Sequence, residues 1–159
     1  MDVPAHAIAV EPVGVVRGGR AEAVDDHWGA VEATIVLDGG TFPESATHGL
    51  DAFSHLEVVY LFHRVDPAKV TAGARRPRGR EDWPEVGIFA QRAKARPNRI
   101  GVSRCELLAL EGLTLHVRGL DAIDGTPVLD VKPWMAEFGP RATVRQPAWS
   151  SELMREYWA

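Results

Sequence analysis

A chain of 159 residues fits one domain of ordinary size, and 45% apolar with 25% charged residues excludes wholesale disorder. The net charge of -4 excludes a uniformly basic nucleic-acid-binding surface, and no apolar run approaches the ~20 residues of a membrane helix. The opening MDVPAHAIAVEP has no basic region followed by an apolar stretch, so the protein is read as cytoplasmic, with no membrane association.

In chain order, apolar residues of strand character run from Ile8 to Val16, Val31 to Leu37, Leu56 to Phe62, Val86 to Ala90, Cys105 to Leu110 and Leu113 to Leu120. Short strands between turn residues predict an antiparallel barrel or sandwich rather than βαβ units. Gly14, Gly18 and Gly19 do not form a dinucleotide fingerprint, and no Walker A motif is present. On the third of these strands the side chains alternate between faces. Leu56, Val58, Tyr60 and Phe62 make a core face; Phe53, His55, Glu57, Val59, Leu61 and His63 make a mixed face that meets ligand, partner or water. His55 and His63 read either as hydrogen-bonded structural histidines or as groups of a site. Ser54 and His55, as neighbours on a strand, are expected to point apart and make no nucleophile pair.

Between Asp66 and Pro84, prolines and the arginines Arg75, Arg76, Arg78 and Arg80 predict a protruding arm or long loop. FAQRAKARPNRIG, residues 89–101, is dense in hydrogen-bonding groups. Arg92 and Arg96 offer planar forks for a carboxylate or phosphate, and Asn98 offers a donor and an acceptor. Cys105, the single cysteine, excludes an intrachain disulfide and a thiolate zinc site; it reads as a small core residue, and no metal is expected. Glu111-Gly112 marks a tight hairpin, and Asp124-Gly125 a second turn. In LDAIDGTPVLDVKPW, residues 120–134, Asp121, Asp124 and Asp130 can accept from ribose hydroxyls or an amine. Asp130 and Lys132 share a strand face and can pair. Pro147 blocks regular structure, after which Ser150 is expected to cap a short helix with Leu153, Met154, Tyr157 and Trp158 on one face. The organisation expected is a barrel over 1–140 and a tail over 141–159 that docks on the barrel or on a second subunit.

Taken together, FSHLEVVYLFH, GIFAQRAKARPNRIGVS and LDAIDGTPVLDVKPW resemble, in order and spacing over roughly residues 8 to 135, the TsaA-like or TrmO family of S-adenosylmethionine-dependent tRNA methyltransferases. The resemblance implies a small, mainly β antiparallel barrel, usually a homodimer, that binds S-adenosylmethionine without a Rossmann domain. It also implies methylation of N6 of threonylcarbamoyl-adenosine at tRNA position 37. Cofactor contacts carried over to matching positions are His63, Arg64, Arg92, Asn98, Gly101, Asp124, Gly125, Thr126 and Pro127. Departures from the family pattern are Gln91 for threonine, Arg99 for the second loop proline, Arg64 for glutamine, the segment 25–29, and an end at Ala159 without the extension of longer bacterial members. Candidates for a base are Asp130, Asp121 and His55, with Asp130 preferred because Lys132 can orient it. Arg75, Arg76, Arg78, Arg80, Arg96 and Lys132 are the expected tRNA contacts. Two other readings stand beside this one: a methyltransferase for a small metabolite, and a noncatalytic S-adenosylmethionine- or RNA-binding module.

Overall fold

The computed structural model describes residues 6–159; residues 1–5, part of the amino-terminal stretch read above, lie outside the described residues. Six strands close into an antiparallel barrel: β1 (Gly14–Arg17), β2 (Glu32–Leu37), β3 (His55–Leu61), β6 (Ile100–Glu111), β7 (Thr114–Arg118) and β8 (Pro127–Pro133). Their order around the barrel is β1-β2-β7-β6-β3-β8, and the ladder closes where Val15 and Gly14 face Pro127 and Val128. Between β3 and β6 the chain inserts a two-stranded ribbon, β4 (Ala74–Arg75) with β5 (Val86–Gly87). One helix follows, α1 (Ala148–Leu153).

The alternation on β3 decides what fills the barrel. Leu56, Val58 and Tyr60 are buried and meet Val16, Ile35, Cys105, Leu115, Val117, Leu120 and Val128 inside it. Burial pushes the Cys105 thiol up to about 12, so it remains a protonated core side chain. Outside, Glu57 stands between Arg104 and Lys132 on the flanking strands, with a 3.1 Å ion pair to Arg104. Arg104 also lies over the Trp134 ring at 3.9 Å.

Several element boundaries differ from the sequence expectation. The first strand begins only at Gly14, and Ile8 and Val10 are exposed; Pro12 has no N–H for a ladder, and residues 8–13 join no strand. The strand expected to reach Ala90 stops at Gly87 and turns into a 3-10 turn over Ile88–Ala90. β6 starts five residues before Cys105, because its outward Val102 and Arg104 alternate with buried Gly101 and Ser103. β7 ends at Arg118, where Gly119 takes φ +79°. The hairpin turn falls one residue later than expected, since Glu111 already faces Thr114 and Gly112 takes φ +59°. The helix begins at Ala148 with Pro147 in the cap position; Ser150 lies inside it and donates to the Pro147 carbonyl instead of capping. Tyr157 and Trp158 therefore lie past the helix rather than on its face.

The stretch 66–84 carries β4 and is tied down. Trp83 is buried, and its Nε1 donates to Glu152 at 3.1 Å. Buried Gln91 donates from Nε2 to the carbonyls of Arg75 and Val86, 2.9 Å each, and so pins both strands of the ribbon at once.

Candidate functional site

The last inward side chain of β3, Tyr60, lies across β6 at Gly101, where a Cβ would come within 2.5 Å of its ring. Glycine is required there by that close approach. Phe62 holds the ring edge-on with centroids 5.3 Å apart. The Tyr60 hydroxyl donates to Asp121 Oδ1 at 3.0 Å, and the other oxygen of the same carboxylate accepts from the Tyr157 hydroxyl. The chain has two tyrosines, and both meet on Asp121. Burial first, then the Asp121 charge, pushes both phenols well above the ordinary tyrosine range, so they remain donors at any working pH. The Arg92 charge acts in the opposite sense on both, which puts this guanidinium within electrostatic reach of the cluster.

The turn after Asp121 is fixed against β1 and the loop that follows it. Gly125 takes φ +83°, its N–H donates to the Val16 carbonyl at 2.8 Å, and Asp124 Oδ1 accepts from Gly18 N at 2.9 Å. Thr126 is buried with its carbonyl accepting from Val16 N at 2.9 Å, and Pro127 opens the closing strand. His63 Nε2 lies beside Gly125, 3.7 Å from the place of a Cβ. Partial burial, aided by the neighbouring Arg64 charge, lowers the His63 pKa and favours the neutral ring. Arg64 donates to the Ala21 carbonyl at 2.8 Å, and Arg92 to the Val102 carbonyl at 2.6 Å. In the loop before β6, Asn98 and Arg99 take φ +63° and +52°, and Arg99 donates to the Val65 carbonyl at 2.9 Å. A proline ring cannot reach that φ, so arginine at 99 and this loop shape go together. His63, Arg64, Arg92, Gly101, Asp121 and the turn 124–127 are thus tied by these contacts to one end of the barrel.

Other candidates lie elsewhere. Asp130 and Lys132 pair at 2.7 Å as expected, on the outer face of β8 opposite Val59 and Glu57. Asp130 Oδ1 also accepts from Val131 N at 2.9 Å. His55 opens β3, five residues and about 17 Å of strand rise from Tyr60. Asp130, Asp121 and His55 are therefore not assembled as one group. The expectation that Ser54 and His55 point apart is corrected: Ser54 precedes the strand, and its Oγ meets His55 Nδ1 at 2.7 Å. No carboxylate contact to His55 accompanies this pair among the described residues.

Three of the four arm arginines have protein partners among the described residues. Arg76 donates to the Trp83 carbonyl at 2.5 Å, and Arg78 forks onto Asp26 at 2.8 and 3.1 Å. Arg80 pairs with Asp82 and Glu152 while lying over Trp83 at 4.0 Å. Arg75 has its Nε buried without a hydrogen-bond partner among the described residues. Arg96 donates to the Gln91 carbonyl at 2.6 Å. Among the described residues no three His, Cys, Asp or Glu side chains gather as a metal-holding group.

Sequence reasoning did not single out Tyr60 or Tyr157 as site residues. Tyr60 carried a signal, being the one hydroxyl on an otherwise apolar face. Tyr157 carried none, because its partner is 36 residues away and the tail brings them together.

The sequence matches the family model described as the tRNA-methyltransferase O N-terminal domain over residues 25–139. A probable S-adenosyl-L-methionine-binding protein of Pyrococcus abyssi is 36% identical over 87% of this chain and 74% of its own length. The tRNA (adenine(37)-N6)-methyltransferase of Escherichia coli is 34% identical over 79% of this chain and 57% of its own length. A crystal structure of TrmO from Pseudomonas aeruginosa superposes with a TM-score of 0.74 at 28% identity, covering 93% of this chain and 64% of that one. The chain thus spans little more than half of the bacterial enzyme it matches.

Proposed function

The chain belongs to the tRNA-methyltransferase O N-terminal domain family, and from that premise we propose that it is an S-adenosylmethionine-dependent methyltransferase acting on N6 of adenine 37 in tRNA, in its threonylcarbamoyl form. The observation that carries this reading is the gathering of His63, Arg64, Arg92, Asp121 and the turn 124–127 at one end of a closed barrel. The donor set fits the cofactor: guanidinium groups for an amino-acid carboxylate, carboxylates for ribose hydroxyls, and a glycine turn at +83° that lets backbone come close to a ring. His63, Arg64, Arg92, Gly101, Asp124, Gly125, Thr126 and Pro127 would hold it, with the Asn98 loop beside them. Bound there, the cofactor supplies an electrophilic methyl group.

The chain's own residues contribute alignment and removal of water, since methyl transfer is a displacement that needs the two reacting atoms in line. Asp121 is the base candidate placed with these groups. Each of its oxygens already accepts one phenol and retains one further acceptor position, one for a cofactor ribose hydroxyl and the other for a substrate proton. Asp130, on the outer face of β8, serves this chemistry only if a second subunit or the RNA brings the substrate to that face.

Nucleoside mass spectrometry of total tRNA from cells with and without the gene tests the reading. A methylated modified adenosine that depends on the gene is expected, and an unchanged nucleoside profile would overturn the tRNA assignment. The engagement of Arg76, Arg78 and Arg80 by protein acceptors favours one second reading, a methyltransferase for a small metabolite. In that case the purified protein binds S-adenosylhomocysteine but shows no salt-dependent affinity for tRNA.

A further inference from the structure

The carboxyl-terminal tail is tied to the molecule at three separate places, the ribbon arm, the segment 27–29 and Asp121. Glu152 meets both Trp83 and Arg80 of the ribbon arm. His27 N donates to the Glu156 carbonyl at 2.9 Å, and Trp28 N to the Tyr157 carbonyl at 2.8 Å. The Trp158 carbonyl packs so closely on Gly29 that no Cβ fits between them. Tyr157, half-buried and edge-on to Trp158 at 4.8 Å, completes the set by donating to Asp121. The segment 27–29 that receives the tail is itself held, with Trp28 buried and its ring under the Arg20 guanidinium at 4.5 Å.

We infer that Tyr157 is a positioning residue: together with Tyr60 it fixes both oxygens of the Asp121 carboxylate, so that their remaining acceptor positions face the ligand, and the docked tail is a built part of the site. The inference rests on the proposed site and adds to it a residue from outside the segments that carry the family resemblance. The physical argument is one of freedom. A partly exposed aspartate turns about two side-chain torsions, and one phenol contact leaves its plane free to swing about that contact. A second donor, on the other oxygen and from an unrelated element, fixes the plane before any ligand arrives. The donors suit this task because burial and the Asp121 charge keep both phenols protonated. Tyr157 is placed by backbone hydrogen bonds on each side of it rather than by its own side chain, so removing the hydroxyl need not undock the tail.

The test is a mutant cycle on the full chain, read by calorimetric binding of S-adenosylhomocysteine and by melting temperature. Tyr157→Phe is expected to weaken binding by about three- to thirtyfold with a small change in melting temperature. Asp121→Asn is expected to weaken binding at least as much. The double variant should be no worse than Asp121→Asn alone, because Tyr157 acts through that carboxylate. Gly29→Ala, which displaces the tail backbone and leaves the phenol intact, should reproduce the loss. Tyr157→Phe that melts earlier but binds like the parent would make the contact structural and overturn the inference. Fully additive losses would also overturn it, since Tyr157 would then act independently of Asp121. A folded parent that does not bind overturns the site reading itself, and this inference with it.

Discussion

Arg92 reaches two things at once, the Val102 carbonyl and the field around Tyr60 and Tyr157. It is exposed, and among the described residues its side-chain hydrogen bond is to a backbone carbonyl, so Arg92→Ala should affect binding more than folding. Loss of a charge-assisted contact costs about 1.5 to 3 kcal/mol, roughly ten- to hundredfold in affinity for S-adenosylhomocysteine. Unchanged affinity would return Arg92 to the solvated surface. His63 makes a prediction of another kind, because its pKa is lowered in the fold by burial and by Arg64. Below the ordinary histidine value of about 6.5 the unfolded chain binds a proton that the folded chain resists. His63 therefore contributes stability above that value, and the contribution is lost as pH falls through the window down to the lowered native pKa. Melting temperatures of the parent and His63→Gln, compared from pH 7.5 to 5, should show the steeper acid loss in the parent. Parallel curves would mean that the ring is solvated in the native state.

At the scale of elements, legibility followed alternation. β3 was readable because Leu56, Val58 and Tyr60 face one way and Glu57 and Val59 the other, and burial follows that pattern along the strand. The first half of β6 was hidden, since its inward positions are Gly101 and Ser103 rather than large apolar residues. β8 was only half seen: its aspartate-lysine face was legible, but prolines at both ends masked a strand that closes the barrel. The turn at Gly125 was legible from Asp-Gly alone. The tail was not, because its position depends on backbone contacts to 27 and 28 that no local pattern encodes. Gln91 shows the same limit in the arm. It stands where threonine was expected, and it is buried with two carbonyls on its amide. A threonine side chain is too short to bridge both strands of the ribbon. Gln91→Ala orphans those carbonyls and should destabilise the arm by about 1 to 3 kcal/mol, seen as faster amide exchange over 74–91 than in β3. Equal exchange in parent and variant would show that the ribbon holds without it.

At the scale of the whole molecule, Ile100 and Val102 are exposed on the outer face of β6, opposite Leu61 and Val59 of β3. This strip, with the family resemblance, leads to the expectation of a homodimer, so sedimentation at micromolar concentration should give twice the chain mass and Val102→Glu should halve it. A parent that sediments as a monomer would refute the expectation. The last prediction concerns charge. A protein of net charge -4 binds a polyanion only through a local excess of arginines, and the arm concentrates four of them between residues 75 and 80. Arg78 already faces Asp25 and Asp26, and Arg80 faces Asp82 and Glu152, so each must exchange or share its acid when a phosphate approaches. Their individual contributions to tRNA affinity should therefore be smaller than that of a free arginine. Replacing Arg75, Arg76, Arg78 and Arg80 with glutamine should weaken tRNA binding and flatten the slope of log affinity against log salt, while S-adenosylhomocysteine binding changes little. Restoring Arg76 alone should recover least of the salt slope if its contact to the Trp83 carbonyl persists in the complex, since that guanidinium then supports the arm rather than a phosphate. A quadruple variant with the parent's salt slope would remove the arm from the RNA surface and leave Lys94, Arg96 and Lys132 as the cations to test next. A parent with no salt-dependent tRNA affinity would instead favour the metabolite reading, because phosphate neutralisation is the one term that every RNA complex of this kind must contain.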